Sequence, residues 1–213
     1  GVERALDAGS GAGHTALAFA TLVAEVVAVD LTEAMLEQGR RLARERGIAN
    51  VTFQRGDVER LPFPDAAFDL VTSRYSAHHY PHPLEALREI ARVLRPGGTF
   101  LLVDVVAPAG PAADTFLNAI ELLRDPSHVR DHSTDQWLHM FESAGFAAEA
   151  LGEWPLRLEF ESWVARMNTP SLAGGQIRAL IDGAPSEVRA ALAIDEGYSF
   201  SVPTALLRGR LPA

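Results

Sequence analysis

"ALDAGSGAG", residues 5–13, is the stretch on which the fold turns. Gly9, Gly11 and Gly13 occupy every second position behind Asp7, between a short apolar run and a helix-forming segment that begins at His14. Glycine reaches left-handed backbone without strain and lets a chain bend tightly against a ligand that a Cβ would push away. A loop of this kind between a first strand and a first helix belongs at the switch point of an open α/β sheet, where such sheets bind ligands.

Outward from the loop, strands and helices alternate. Strands are expected at residues 2–7, 25–30 ("EVVAVD"), 51–54, 68–73 ("FDLVTS") and 99–106, the last entered through "RPGG". Helices are expected at 14–24, at 33–46 with Thr32 as N-cap and Gly47 as stop, and at 83–94. This rhythm implies a mostly parallel sheet covered on both faces, an α/β fold. After Ala107 the rhythm breaks: a turn at 108–111 precedes helices at 113–124 and 133–144, the second capped by Ser133 or Thr134 and stopped by Gly145. The remaining strands are expected at 147–153 and 201–207. Residues 154–197, with the amphipathic pieces "FESWVARM" and "EVRAALAI", read as a helical insertion over one end of the sheet. No internal repeat or low-complexity segment is found.

Composition narrows the partners. At 213 residues, 47% hydrophobic and 22% charged, the chain suits one well-buried domain. A net charge of −9, from 19 basic and 28 acidic residues, disfavours nucleic acid and anionic membranes, so the expected partner is a small molecule. Cysteine is absent, which removes disulfides, thiolate nucleophiles and cysteine-ligated metals and fits a cytoplasmic setting. No apolar run approaches the roughly 18 residues of a membrane span, and the first residues do not resemble a signal peptide.

The loop itself selects a cofactor class. A dinucleotide fingerprint requires Gly-x-Gly-x-x-Gly, yet counting from Gly9 the sixth position is His14, and counting from Gly11 a third glycine is also lacking. Asp7 would set a carboxylate against a pyrophosphate. A cofactor without phosphates, preferably cationic, fits better.

With these residues in place the chain resembles the class I S-adenosylmethionine-dependent methyltransferases, a Rossmann-like family. "LDAGSGAG", "VVAVDLTEAML", "FQRGDVERLPFPDAAFDLV" and "EIARVLRPGGTFLLVD" are similar to its motifs, in order, over about the first half of the chain. The nearest subgroup is typified by the ubiquinone and menaquinone biosynthesis C-methyltransferases. The resemblance implies a cofactor-binding half at 1–107, acceptor-side helices at 108–200 and a last strand at 201–213. It also implies that Asp7 faces the ammonium of the methionine moiety while Gly9, Gly11 and Gly13 admit the backbone close to it. Asp30 would accept the two ribose hydroxyls. Leu31 and Met35 would pack on the adenine, Asp57 would accept its amino group beside the amide of Val58, Leu61 would form an apolar wall, and Ser73 would end the fourth strand beneath the cofactor. The bland counterparts are a helix cap for Asp30, a turn former for Asp57 and a core residue for Met35.

The acceptor side is expected in "SRYSAHHYPHP", residues 73–83, which hangs over the methyl position. Methyl transfer is an in-line displacement helped by positioning and by a base. His79 is the first candidate base and His78 the second. His128, Arg130 and His132 form a further polar cluster, which lines either an acceptor pocket or a solvated loop. No tight ligand spacing suggests a metal. Only about four residues precede "ALDAGSGAG", where the family carries a lid segment, so a missing lid and weaker cofactor retention are expected. The insertion helices offer a possible homodimer face. Two other classes compete with the methyltransferase: a nicotinamide-dependent oxidoreductase, disfavoured by His14, and a non-catalytic binder of the same cofactor.

Overall fold

The computed structural model describes residues 3–213. Seven strands form one sheet in the order β3-β2-β1-β4-β5-β7-β6, parallel except for the antiparallel pairings of β7. In chain order these are β1 (Arg4–Ala8), β2 (Glu25–Asp30), β3 (Val51–Arg55), β4 (Phe68–Arg74), β5 (Leu94–Val105), β6 (Ala147–Leu158) and β7 (Phe200–Arg210). The expected strand start at Val2 lies outside the described residues.

Period-two alternation sends side chains of one strand to opposite faces. Leu6, Ala8, Val27 and Val29 join a core with α3 (Pro83–Val93) and α5 (Thr134–Ser143), where Leu87, Ile90, Trp137 and Phe141 are buried. Ala5, Val26 and Ala28 face the other way, onto α1 (His14–Phe19) and α2 (Glu33–Glu45) through Ala16, Leu17 and Leu36. Burial on both faces is what the continuous apolar strands require. Ser133 caps α5 through a reciprocal box with Gln136, and Gly145 ends it at φ +93°.

Two expected boundaries move. "RPGG" lies inside β5: Phe68 pairs with Leu94 but Leu70 pairs with Thr99, so the extra residues bulge from the ladder, with Gly97 at φ +75°. β6 runs on to Leu158 instead of giving way to helix at Trp154, because Leu158 pairs with Phe200 and Trp154 with Thr204 along β7. β6 is the sheet edge, and an edge tolerates Pro155. The first helix is also shorter than expected, ending at Phe19.

The insertion folds as α6 (Phe160–Arg166), α7 (Ser171–Asp182) and α8 (Ser186–Ala191). With α4 (Pro111–Arg124) and the ends of β6 and β7 they build a second core around Leu117, Phe160, Trp163, Ile177, Val188 and Phe200. The apolar sides of "FESWVARM" and "EVRAALAI" are thus turned inward, onto the chain's own sheet. No helix among the described residues is long and apolar enough to cross a membrane.

Candidate active site

The carboxyl ends of β1, β2, β4 and β5 meet at one edge of the sheet, and the glycine loop crosses it. Gly9, Gly11 and Gly13 all have left-handed backbone, at φ +68°, +53° and +74°. Their surroundings differ. A Cβ on Gly9 would lie 1.8 Å from Ser76 Oγ, and one on Gly13 2.5 Å from the Phe53 ring, whereas one on Gly11 would meet nothing within 4 Å. Gly9 and Gly13 therefore seat the loop against the protein, and Gly11 faces open space.

Asp30 fastens the loop's open side. Its Oδ2 accepts from Gly11 N–H at 2.8 Å and its Oδ1 from Thr32 N–H at 2.9 Å. A carboxylate has about four acceptor sites, so capacity remains for hydroxyl donors at this half-buried position. Leu31 and Met35 stand beside it, 60% and 45% exposed. Two apolar side chains are thus left in water just after the end of β2; Leu36, not Met35, fills the core.

Asp7 has a different part from the one expected. Its side chain is buried, Oδ2 accepting from Ala16 N–H at 3.0 Å and Oδ1 from Thr72 Oγ1 at 3.0 Å. Burial pushes its carboxyl up to about 7 against the pull of these bonds. Geometry makes Asp7 the staple between β1, α1 and β4 in place of a contact free to meet a ligand ammonium. Asp57 is exposed and accepts from Glu59 N–H at 2.9 Å, a turn-forming contact that still leaves an open oxygen. Val58 and Leu61 are buried in the main core, so Leu61 offers no exposed wall, and its N–H is taken by Glu89 Oε2 at 2.9 Å. Ser73 is buried beneath the loop, its Oγ 2.9 Å from Tyr80 Oη.

The segment after β4 turns sharply. Tyr75 has φ +53°, a conformation uncommon for a side chain of this size, and is held by its N–H to Val103 O at 2.9 Å. The chain then forms a short 3₁₀ turn, Ala77–His79. Asp104, on β5 and 1% exposed, anchors that turn: Oδ2 accepts from the N–H groups of Ser76, Ala77 and His78 at 3.2, 2.7 and 3.3 Å. Its Oδ1 lies 2.7 Å from His78 Nδ1.

This contact separates the two histidines. Burial alone would lower the His78 pKa, but the Asp104 carboxylate outweighs it and raises it to about 9, so the ring is an imidazolium at neutral pH. Asp104 is correspondingly held below the usual range, its burial cost overcome by His78 and by the backbone donors. His79, with its ring centroid 4.2 Å from that of His78, is driven the other way by its own burial and by the His78 charge. His79 Nδ1 lies 3.0 Å from Ser127 O, and a carbonyl only accepts, so Nδ1 carries the proton and Nε2 the free lone pair.

Both histidines line a cavity of about 260 Å³ together with Tyr75, Glu121, Asp131 and Trp163. Of the expected polar cluster, His128 donates from Nε2 to Asn118 Oδ1 at 3.1 Å, Arg130 grips both oxygens of Asp114 at 3.0 and 2.7 Å, and His132 sets its ring against Trp137. None of the three lines the cavity; Asp131, between them, does. Sequence reasoning missed Asp104, although it ends the apolar run "FLLVD" as Asp7 and Asp30 end theirs. Glu121 and Asp131 carried no such signal. Among the described residues no group of His, Asp or Glu is arranged to hold a metal.

Comparison with known proteins shows the family. Residues 6–102 match the family model described as a methyltransferase domain. The uncharacterized methyltransferase YcgJ of Bacillus subtilis (strain 168) is 43% identical over 212 residues, covering 97% of this chain and 84% of that protein. Its crystal structure superposes with a TM-score of 0.96 at 41% identity, covering 100% of this chain and 93% of that one. The ubiquinone/menaquinone biosynthesis C-methyltransferase UbiE of Ectopseudomonas mendocina (strain ymp) is 40% identical over 113 residues, 51% of this chain and 44% of its own length. A geranyl diphosphate methyltransferase solved in complex with SAM shares the fold, with a TM-score of 0.67 at 21% identity, covering 99% of this chain and 79% of that one. With a relative 43% identical and matched over 84% of its length, and with the same fold, the chain belongs to the methyltransferases.

Proposed function

We propose that the protein transfers a methyl group from S-adenosylmethionine to carbon or oxygen of a small molecule. The observation that carries this reading is the juxtaposition of Gly11, Asp30, Leu31 and Met35: an open left-handed glycine, a strand-end carboxylate and two exposed apolar side chains. These suit an adenosyl group, with Asp30 accepting from the ribose hydroxyls, Leu31 and Met35 under the adenine, and Asp57 and the amide of Val58 at its edge. Asp7 acts at one remove, by holding the loop in shape. When bound, S-adenosylmethionine supplies an electrophilic methyl on a sulfonium.

The chain's own residues do the rest. The cavity wall positions the acceptor, and in-line geometry is the main source of acceleration in such displacements. His79 removes the acceptor proton at Nε2, the atom left free by Ser127 O. His78 is unsuited to that task because Asp104 keeps it protonated. Its charge instead keeps His79 neutral and ready to accept.

Calorimetric titration with S-adenosylmethionine, S-adenosylhomocysteine and NADH tests the cofactor, on the wild type and on Asp30→Ala. Binding of both adenosyl ligands, weakened about tenfold or more in the variant, is expected. Binding of NADH, or adenosyl binding indifferent to Asp30→Ala, would overturn the reading.

A further inference from the structure

Asp131 is 2% exposed, and its Oδ2 finds no hydrogen-bond partner among the described residues. Its backbone is well held, the N–H donating to Asn118 Oδ1 at 2.7 Å, so the side chain is placed where it is by a rigid frame. A buried carboxyl oxygen left without a partner is a standing cost to the fold, and such groups persist where a ligand completes them. Asp131 lines the 260 Å³ cavity, whose size suits a compound of about one ring.

The walls define that compound. The apolar lining includes Val105, Leu156, Leu158 and Trp163. The polar lining includes two matched pairs, His78 with Asp104 at 2.7 Å and Arg124 with Glu121 at 3.1 Å. An anionic head would meet Glu121 and Asp125, and a cationic one would meet His78, Arg124 and Arg166. A neutral head meets neither penalty.

We propose that this cavity holds the methyl acceptor, that Asp131 determines its specificity, and that the acceptor is a small apolar ring compound with a neutral carbonyl or hydroxyl head. The word acceptor rests on the methyl-transfer reading; the cavity's preference does not. Burial and the neighbouring Glu121 hold the Asp131 carboxyl well above the usual range, which favours the protonated form, and a protonated carboxyl both donates and accepts. That is the complement of a carbonyl or a hydroxyl.

Four probes of one ring size separate the possibilities: acetophenone and phenol with neutral heads, benzoate as the anion and benzylamine as the cation. Each is titrated by saturation-transfer NMR into the full chain, as wild type, Asp131→Asn and Asp131→Leu. The neutral pair is expected to bind at least roughly tenfold tighter than either charged probe. Asp131→Asn, which also donates and accepts, keeps that affinity within about threefold, while Asp131→Leu lowers it about tenfold or more and melts no lower than wild type. Preference for a charged head, absence of neutral-probe binding, loss of binding in Asp131→Asn, or unchanged binding in Asp131→Leu would each overturn the proposal. So would a destabilised Leu variant, which would give Asp131 to the fold. S-adenosylmethionine is titrated into the same samples. Its failure to bind while the neutral probes bind would sink the methyl-transfer reading alone, and the reverse result would sink the inference alone.

Discussion

The glycine loop and the His78 cavity occupy neighbouring strand ends, yet they are assembled over different sequence distances. The loop is a local object: Gly9, Gly11 and Gly13 lie within five residues, and the Asp30 carboxylate that closes it comes from the next strand. The cavity is drawn together from afar, with His78 and Asp104 separated by 26 residues and His79 and Ser127 by 48. The loop is stabilised by backbone conformation and steric fit, the cavity by buried charge. One region should therefore respond to shape and the other to protonation.

The largest effect is expected from removing the charge anchor. Asp104→Ala strands the His78 cation and three amide donors in the interior, a loss of about 3–5 kcal/mol in urea unfolding. The same pair sets a pH window. The His78 pKa is raised from 6.5 to about 9, so its contribution is fully present below 6.5 and is lost as pH rises through about 9. Wild-type stability should decline across that range and the variant's should not; parallel curves would count against the pairing.

Next comes the steric contrast inside the loop. Gly9→Ala brings a methyl to 1.8 Å from Ser76 Oγ and also strains a positive φ, costing about 2–4 kcal/mol. Gly11→Ala meets only the φ penalty, about 1 kcal/mol. Adding Ser76→Gly should recover part of the Gly9→Ala loss and none of the Gly11→Ala loss. Equal costs at the two positions would erase the distinction between a packing glycine and an open one.

A protonation effect also reaches the loop, through its staple. The Asp7 pKa stands at about 7 against an ordinary 3.8, so the native state binds the proton more tightly than the unfolded chain does. Stability therefore falls as pH climbs from about 4 to about 7. Asp7→Asn keeps an acceptor for Ala16 N–H and a donor for Thr72 Oγ1, and should flatten that fall; an unchanged slope would assign it to other groups.

The smallest change in stability belongs to the two exposed apolar side chains after β2. Leu31→Ala and Met35→Ala should leave unfolding within about 0.5 kcal/mol of wild type while weakening adenosyl binding several-fold by calorimetry. Destabilisation without a loss of binding would return Met35 to the core.

Sequence alone determined the alternation of strands and helices, the glycine register, the caps at Ser133 and Gly145, and the acids that close β1 and β2. These follow from backbone preference and side-chain periodicity, which act over a few residues and are written in the local order of the chain. Tertiary structure decided the rest. Residues 154–158 became strand because β7 lay beside them, and "RPGG" became a bulge because β4 held both its ends. Burial pushed the Asp7 carboxyl up to about 7, Asp104 raised His78 by reaching it from another strand, and burial together with the His78 charge lowered His79. Asp131 acquired its place in the cavity only when α4 and the insertion closed around it. A protonation state depends on what water and which charges surround a group, and those neighbours exist only once distant segments have met.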